Sequence, residues 1–196
     1  PPLSPYQYTS PLSGMRSYVK NHKDDVLLTV TDLPAGSTVR LAVMDRFDGN
    51  VWNLSDSAMA SDSSNYRRVG TSIRNTAEGK RFTAKFTVDK GLTDYWLPIA
   101  GAASSVQFAK TSDADSFYYN TDTMSSIYSA RTYAGLSYTE TGIMPTVPTD
   151  KQIAKTDAAA ISQPKAEDVP YCVDKLATAI AGGQSKGGEA AQALAE

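Results

Sequence analysis

Residues 81–88 carry the clearest alternation of apolar and polar positions in the chain. Successive residues of a β-strand point to opposite faces, so this pattern predicts a strand with one face in a core. The inward-facing positions are Phe82, Ala84, Phe86 and Val88. Residues 26–31 are apolar at nearly every position, which predicts a second, central strand.

Residues 40–52 form the stretch around which we expect the other strands to assemble, RLAVMDRFDGNVW. Its first half alternates as a strand does, and Asp48-Gly49 is a strong turn dipeptide because glycine accepts a positive φ. Trp52 ends the stretch with a large apolar surface.

Further short strands follow at intervals of roughly ten residues, a spacing typical of a sandwich or barrel and not of βαβ units. We predict them at 67–73, 106–109, 117–120, 127–131 and 136–140, with a short aromatic segment at 95–98 and a polar loop at 54–66. The fold class predicted is therefore mainly β, a β-sandwich-like antiparallel domain followed by short C-terminal α-helices.

The pattern changes at both ends of this β region. Residues 1–24 are rich in proline, which predicts an extended tether with a single helical turn at 13–19. Thr149 and Gln152 form a capping box that opens a helix to about residue 160. Further helices are predicted from about 168, ended by Gly182-Gly183, and from 189. The predicted organisation is thus a tether at 1–24, a β domain at 25–144 and a helical connector at 145–196.

Composition excludes several functional classes. The 196 residues have a formal net charge of −2 and scattered basic residues, which argues against a nucleic-acid or anionic-membrane binder. No apolar run approaches the roughly 18 residues of a membrane span. The chain begins without Met and ends within a predicted helix, so we expect it to be an excised part of a longer protein.

The single cysteine and the single histidine do not predict a catalytic pair. Cys172 lies on the apolar stripe of the second predicted connector helix, where we expect it to be a small buried hydrophobic residue. His22 lies in the predicted tether. A cysteine nucleophile needs a neighbouring base, so we predict no catalytic residue, no metal site and no cofactor.

Acidic residues suggest two alternative kinds of functional site, a catalytic carboxylate pair and a Ca²⁺ site. Asp45 and Asp48 could form a carboxylate pair for glycosidic chemistry, although a turn role for Asp48 is favoured. The loops that carry Asp113, Asp115 and Asp122 could hold Ca²⁺, but no twelve-residue loop with a closing glutamate is present.

Two surface features complete the candidates. Asn53-Leu54-Ser55 fits the acceptor pattern for N-glycosylation. Trp52 and Trp96, with exposed tyrosines, could form a carbohydrate-stacking platform if both tryptophans lay on an open face. The sequence does not identify binding residues.

Four segments resemble the extracytoplasmic region of actinobacterial membrane proteins with a transglutaminase-like (papain-type) core. The closest is RLAVMDRFDGNVW at 40–52. The others are SPLSGMRSYVKNHKDDVLLTV at 10–30, YWLPIAG at 95–101, and PTVPTDKQIAKTDAA at 145–159 followed by VPYCVDKLATAIAGG. They occur in the order that the family shows and extend over nearly the whole chain.

The resemblance implies a segment that follows a membrane helix and precedes the catalytic core. The family's Cys, His and Asp triad lies in that core, and no residue here matches it. We therefore expect a non-catalytic spacer, positioning or substrate-recognition module on the extracytoplasmic side of the cell membrane. Its expected partners are the core and membrane helices of the same parent chain and a cell-wall or protein substrate. The alternative is a carbohydrate- or cell-wall-binding module.

Overall fold

The computed structural model describes residues 10–47, 50–54, 66–70, 72–160 and 168–196. In these ranges the strands are β1 Leu28–Thr31, β2 Val39–Arg40, β3 Arg46–Phe47, β4 Trp52–Asn53, β5 Gly79–Val88, β6 Trp96–Leu97, β7 Ile99–Ala100, β8 Ala102–Phe108, β9 Phe117–Asn120, β10 Ser125–Tyr128 and β11 Ser137–Pro145. The helices are α1 Pro11–Asn21, α2 Asp150–Ala154, α3 Tyr171–Ala181 and α4 Gly187–Ala195, with a 3₁₀ helix at Thr111–Ser116.

The chain divides into two compact units. The first comprises Pro1–Asp45 with Leu54–Thr146, and the second comprises Arg46–Asn53 with Val147–Glu196. The second unit contains the β3–β4 hairpin and helices α2, α3 and α4. In the described residues, no helix has the length and apolar character required to cross a membrane.

Antiparallel sheets build the first unit. A four-stranded sheet has the order β1-β5-β11-β8, a three-stranded sheet has the order β6-β10-β9, and β2 pairs with β7. Residues from the four- and three-stranded sheets and from β7 share one hydrophobic core. The prediction of a mainly-β, sandwich-like antiparallel domain with short helices is confirmed.

Strand β5 is the centre of the core, as its alternation predicts. Phe82, Ala84, Phe86 and Val88 are all buried, and the residues between them face outward. The ring of Phe86 stacks on that of Tyr138 in β11, with centroids 5.1 Å apart. Truncation of such a buried aromatic ring costs about 3–5 kcal/mol, so this face contributes strongly to stability.

Several predicted strands differ from the structure. β1 lies at the edge of its sheet and not at its centre, and its residues alternate between half-buried and exposed. The strand expected to organise the fold is only two residues long, at Val39–Arg40, because pairing with the short β7 ends there. In the described part of the predicted strand at 67–73, Arg67 forms an isolated bridge to Tyr119 in place of a strand.

The helices also differ in length from the predictions. α1 has eleven residues where the sequence predicts one turn, and proline stands at its start, where a missing N–H is tolerated. The capping box of Thr149 and Gln152 is present, but α2 ends at Ala154 instead of about residue 160. α3 ends before Gly182, as predicted.

Candidate functional site

The cysteine and the histidine have different surroundings. Cys172 is exposed on α3, so the prediction of a buried thiol is wrong. The other apolar positions of the predicted stripe, Leu176 and Ile180, are exposed as well, which explains the error: apolar spacing predicts which face is buried only if a partner covers it. His22 follows α1, and its Nδ1 lies 2.8 Å from the Asp25 carboxylate.

The aspartates considered for Ca²⁺ have other partners. Asp113 is buried and accepts hydrogen bonds from the hydroxyls of Tyr128 and Tyr133, at 2.9 and 2.8 Å. Asp115 pairs with Arg68 at 3.0 Å. Asp122 lies on an exposed turn. The described residues contain no cluster of three or more histidine, cysteine, aspartate or glutamate side chains that could hold a metal ion.

The remaining residues considered from the sequence are the two tryptophans, the carboxylate pair and the glycosylation pattern. Trp96 is fully buried, so it cannot belong to an open carbohydrate-stacking face, whereas Trp52 is 55% exposed and packs beside Phe47. Asp45 is half-buried. Asp48 and Ser55 lie outside the described residues, so the carboxylate pair and the glycosylation pattern stay predictions.

A polar cleft in the first unit brings together residues that the sequence did not mark. It lies between one face of α1, the segment 90–95 and Arg131, and its volume is about 510 Å³. Small-molecule sites typically have volumes of about 300–1,000 Å³ and a few convergent polar groups. The side chains that line it include Ser17, Tyr18, Lys90, Thr93, Tyr95 and Arg131.

Asp94 fixes the floor of this cleft. Its Oδ2 accepts a 2.5 Å hydrogen bond from the Tyr18 hydroxyl, which ties α1 to the β domain. Its Oδ1 accepts from the backbone N–H groups of Tyr95 and Trp96, at 2.7 and 3.3 Å. Burial raises the pKa of Tyr18, and the bond to Asp94 raises it further, so this hydroxyl is a donor at any physiological pH.

Arg131 also lines the cleft. Its guanidinium lies over the ring of Tyr95, 5.9 Å from the centroid. Its backbone has φ = +69°, a conformation that costs a non-glycine residue on the order of 1–3 kcal/mol. The neighbouring Thr132 is buried and holds this conformation: its N–H donates to the Asp94 carbonyl at 2.7 Å, and its hydroxyl accepts from the Asp94 N–H at 2.8 Å.

Glu140 in strand β11 is a second residue with unusual surroundings. It is a carboxyl group buried in the core next to β7. Its side chain is fully buried, and Oε1 accepts a 2.8 Å hydrogen bond from the Ala100 N–H, while Oε2 has no hydrogen-bond partner among the described residues. Burial raises the pKa of this carboxyl to about 8, against the opposing effects of the Ala100 N–H and the Arg40 charge. Arg40 donates from Nη1 to the carbonyls of Gly101 and Met124, at 3.1 and 2.6 Å.

Neither site was predicted from the sequence. The alternation of β11 places Glu140 on the inward face with Tyr138, and that pattern alone could have marked a buried carboxylate. The cleft could not have been found in this way, because α1, the segment 90–95 and Arg131 are far apart in the chain.

Fold and geometry define a mainly-β domain with a polar cleft. Residues 9–149 match the family described as the TgpA N-terminal domain, and the chain belongs to this family. The family is the N-terminal region of transglutaminase-like proteins, which implies a linked transglutaminase-like core. Neither the curated proteins nor the solved structures gave a significant match.

Proposed function

We propose that this chain is a non-catalytic domain on the extracytoplasmic side of a transglutaminase-like membrane protein, where it spaces and positions the catalytic core and contacts its substrate. The observation that carries the proposal is the family match over residues 9–149, which includes both α1 and the β domain. Helices α2, α3 and α4 follow the matched region and would connect it to the core.

The distribution of candidate groups supports a non-catalytic role. Cys172 belongs to the second unit and His22 to the first, and Asp113, Asp115 and Asp94 are engaged in structural bonds. The resemblance of residues 40–52 to actinobacterial membrane proteins supports the extracytoplasmic placement and a cell-wall or protein substrate.

Location is tested with the only cysteine of the chain. In intact actinobacterial cells that express the parent protein, a membrane-impermeant maleimide should label the peptide that contains Cys172, as read by mass spectrometry. The matched control is Cys172→Ser, in which that peptide stays unlabelled. Labelling of this peptide only after lysis would contradict the extracytoplasmic placement, provided that a cytoplasmic marker protein stays unlabelled before lysis.

Positioning is tested separately, by replacing residues 9–149 of the parent protein with a flexible linker. We expect the core to retain its activity on a small diffusible acceptor and to lose activity on isolated cell envelopes. Loss of both activities, with the core still folded, would show that the domain takes part in catalysis. Retention of both would overturn the positioning role.

A further inference from the structure

The polar cleft carries two cationic side chains that form no salt bridge within the described residues. These side chains are Lys90 and Arg131. The lining holds one carboxylate, Asp94, which is hydrogen-bonded on both oxygens to Tyr18 and to two backbone N–H groups. Two cations against this one carboxylate leave the lining with a net positive charge. The cleft is therefore suited to an anionic ligand.

Arg131 is held in place before any ligand arrives. Its positive φ is maintained by Thr132, whose backbone and side chain are bonded to Asp94 and whose hydroxyl also donates to the Leu92 carbonyl at 3.2 Å. The Tyr95 ring supports the guanidinium from one side. Contact with this ring restricts the guanidinium before a ligand binds, which lowers the conformational entropy that binding costs. A guanidinium matches a carboxylate in planar, two-bond geometry.

The volume argues for more than a small inorganic anion. A space of about 510 Å³ exceeds what one carboxylate or phosphate fills. The rings of Tyr18 and Tyr95 give it apolar walls, and the hydroxyls of Ser17 and Thr93 add neutral hydrogen-bonding groups. A short peptide offers backbone amide groups and small apolar side chains, which such walls accommodate.

We propose that the cleft between α1, segment 90–95 and Arg131 binds the terminal carboxylate of a short peptide, with Arg131 as the principal contact and Lys90 as a second cation. The proposal deepens the recognition role and rests on it. Binding is measured on this 196-residue chain alone, so a negative result here leaves the location and positioning tests unaffected.

Isothermal titration at low ionic strength, with N-acetyl-Ala-Ala as the probe, tests the proposal. We expect saturable binding of the free carboxylate form and at least about tenfold weaker binding of the C-terminal amide, since one charge-assisted pair is lost. Inorganic phosphate is the third probe, and it should bind more weakly than the peptide. Phosphate binding as tight as that of the peptide would show a simple anion site and overturn the peptide assignment.

Substitutions of single cationic residues test where the peptide binds. Arg131→Gln should weaken binding of the free-carboxylate peptide by at least about tenfold, and Lys90→Gln by a smaller factor. Arg81→Gln, on the outward face of β5, is the matched control and should bind as the unchanged chain does. Near-ultraviolet circular dichroism checks that each variant is folded. Absence of saturable binding to the unchanged chain, equal binding of the amide, or full binding by folded Arg131→Gln would each overturn the proposal.

Discussion

The backbone N–H of Ala100 in β7 donates a 2.8 Å hydrogen bond to Oε1 of Glu140 in β11, and no group in the part of the chain that the structure describes bonds to the other carboxyl oxygen. One hydrogen bond does not replace the solvation that a carboxylate loses on burial. Three groups act on or near this carboxyl: Arg40, whose charge favours its ionised form, and Tyr119 and Tyr138, whose own pKa values it raises. The protein therefore keeps a proton on Glu140 at pH 7.

Stability should consequently depend on pH through Glu140. Its pKa is about 8 in the folded protein and 4.5 as the reference for the unfolded chain, so the folded state binds more protons between these values. The free energy of unfolding should fall as the pH rises from about 4.5 to about 8, by at most about 5 kcal/mol, and then level off. Urea unfolding at a series of pH values measures this decrease.

Glu140→Gln tests the origin of that dependence. The neutral amide still accepts from Ala100, so most of the decrease between pH 4.5 and 8 should disappear. The exposed Glu78→Gln is the control and should keep the full decrease. If both variants showed the same pH profile as the unchanged chain, Glu140 would not be the group responsible.

Removal of the hydroxyl that joins α1 to Asp94 should destabilise the first unit. In Tyr18→Phe the carboxylate loses its 2.5 Å donor but keeps two backbone N–H donors. Because the lost bond is to a charged group, we expect a decrease of about 1.5–3 kcal/mol in the free energy of unfolding. Chemical denaturation measures it, with Tyr171→Phe on the exposed face of α3 as the control. Equal midpoints for the two variants would contradict this role of Tyr18.

Asp113 should act as a structural acceptor. Asp113→Ala leaves the Tyr128 and Tyr133 hydroxyls without their acceptor, at an expected cost of about 2–4 kcal/mol. The double substitution of both tyrosines by phenylalanine in the Asp113→Ala background should recover part of this loss. A thermal unfolding series with the single, double and triple variants provides the measurement, and an unchanged midpoint for Asp113→Ala would exclude the role.

Calcium should have no effect on stability at millimolar concentration. Of the three residues considered as ligands, Asp113 is bonded to two tyrosines, Asp115 is paired with Arg68, and Asp122 lies on an exposed turn. A ligand that binds only the folded state raises the unfolding midpoint. Thermal scans in Ca²⁺ and in a chelator should coincide, and a rise in the midpoint with Ca²⁺ would reveal a site.

Cys172 should react while the protein is folded. Its thiol is exposed on α3, so a thiol reagent such as DTNB should modify it at close to the rate of a free cysteine. Absorbance on mixing, with and without denaturant, compares the two rates. A rate accelerated more than about a hundredfold by denaturant would mean that the thiol is protected.

Sequence alone predicts the mainly-β class, the inward face of β5, the capping box at Thr149 and the helix end before Gly182. These features depend on local periodicity or on bonds between near neighbours, which the order of residues dictates. The same reasoning was wrong for Cys172 and for the length of the strand after Val39. Both depend on whether another element covers the residue or pairs with it, and local pattern carries no such information.

Only the tertiary structure brings Tyr18, Asp94 and Arg131 to one cleft and places Glu140 beside Ala100. The residues of each group are separated by about forty positions or more, so no spacing in the sequence links them. Their properties arise from that approach: burial changes the protonation of Glu140, and the bonds of Thr132 to Asp94 hold Arg131 at a positive φ. The local sequence thus determines the helices and strands. The desolvation and the long-range hydrogen bonds that create the two sites exist only once those helices and strands have packed together.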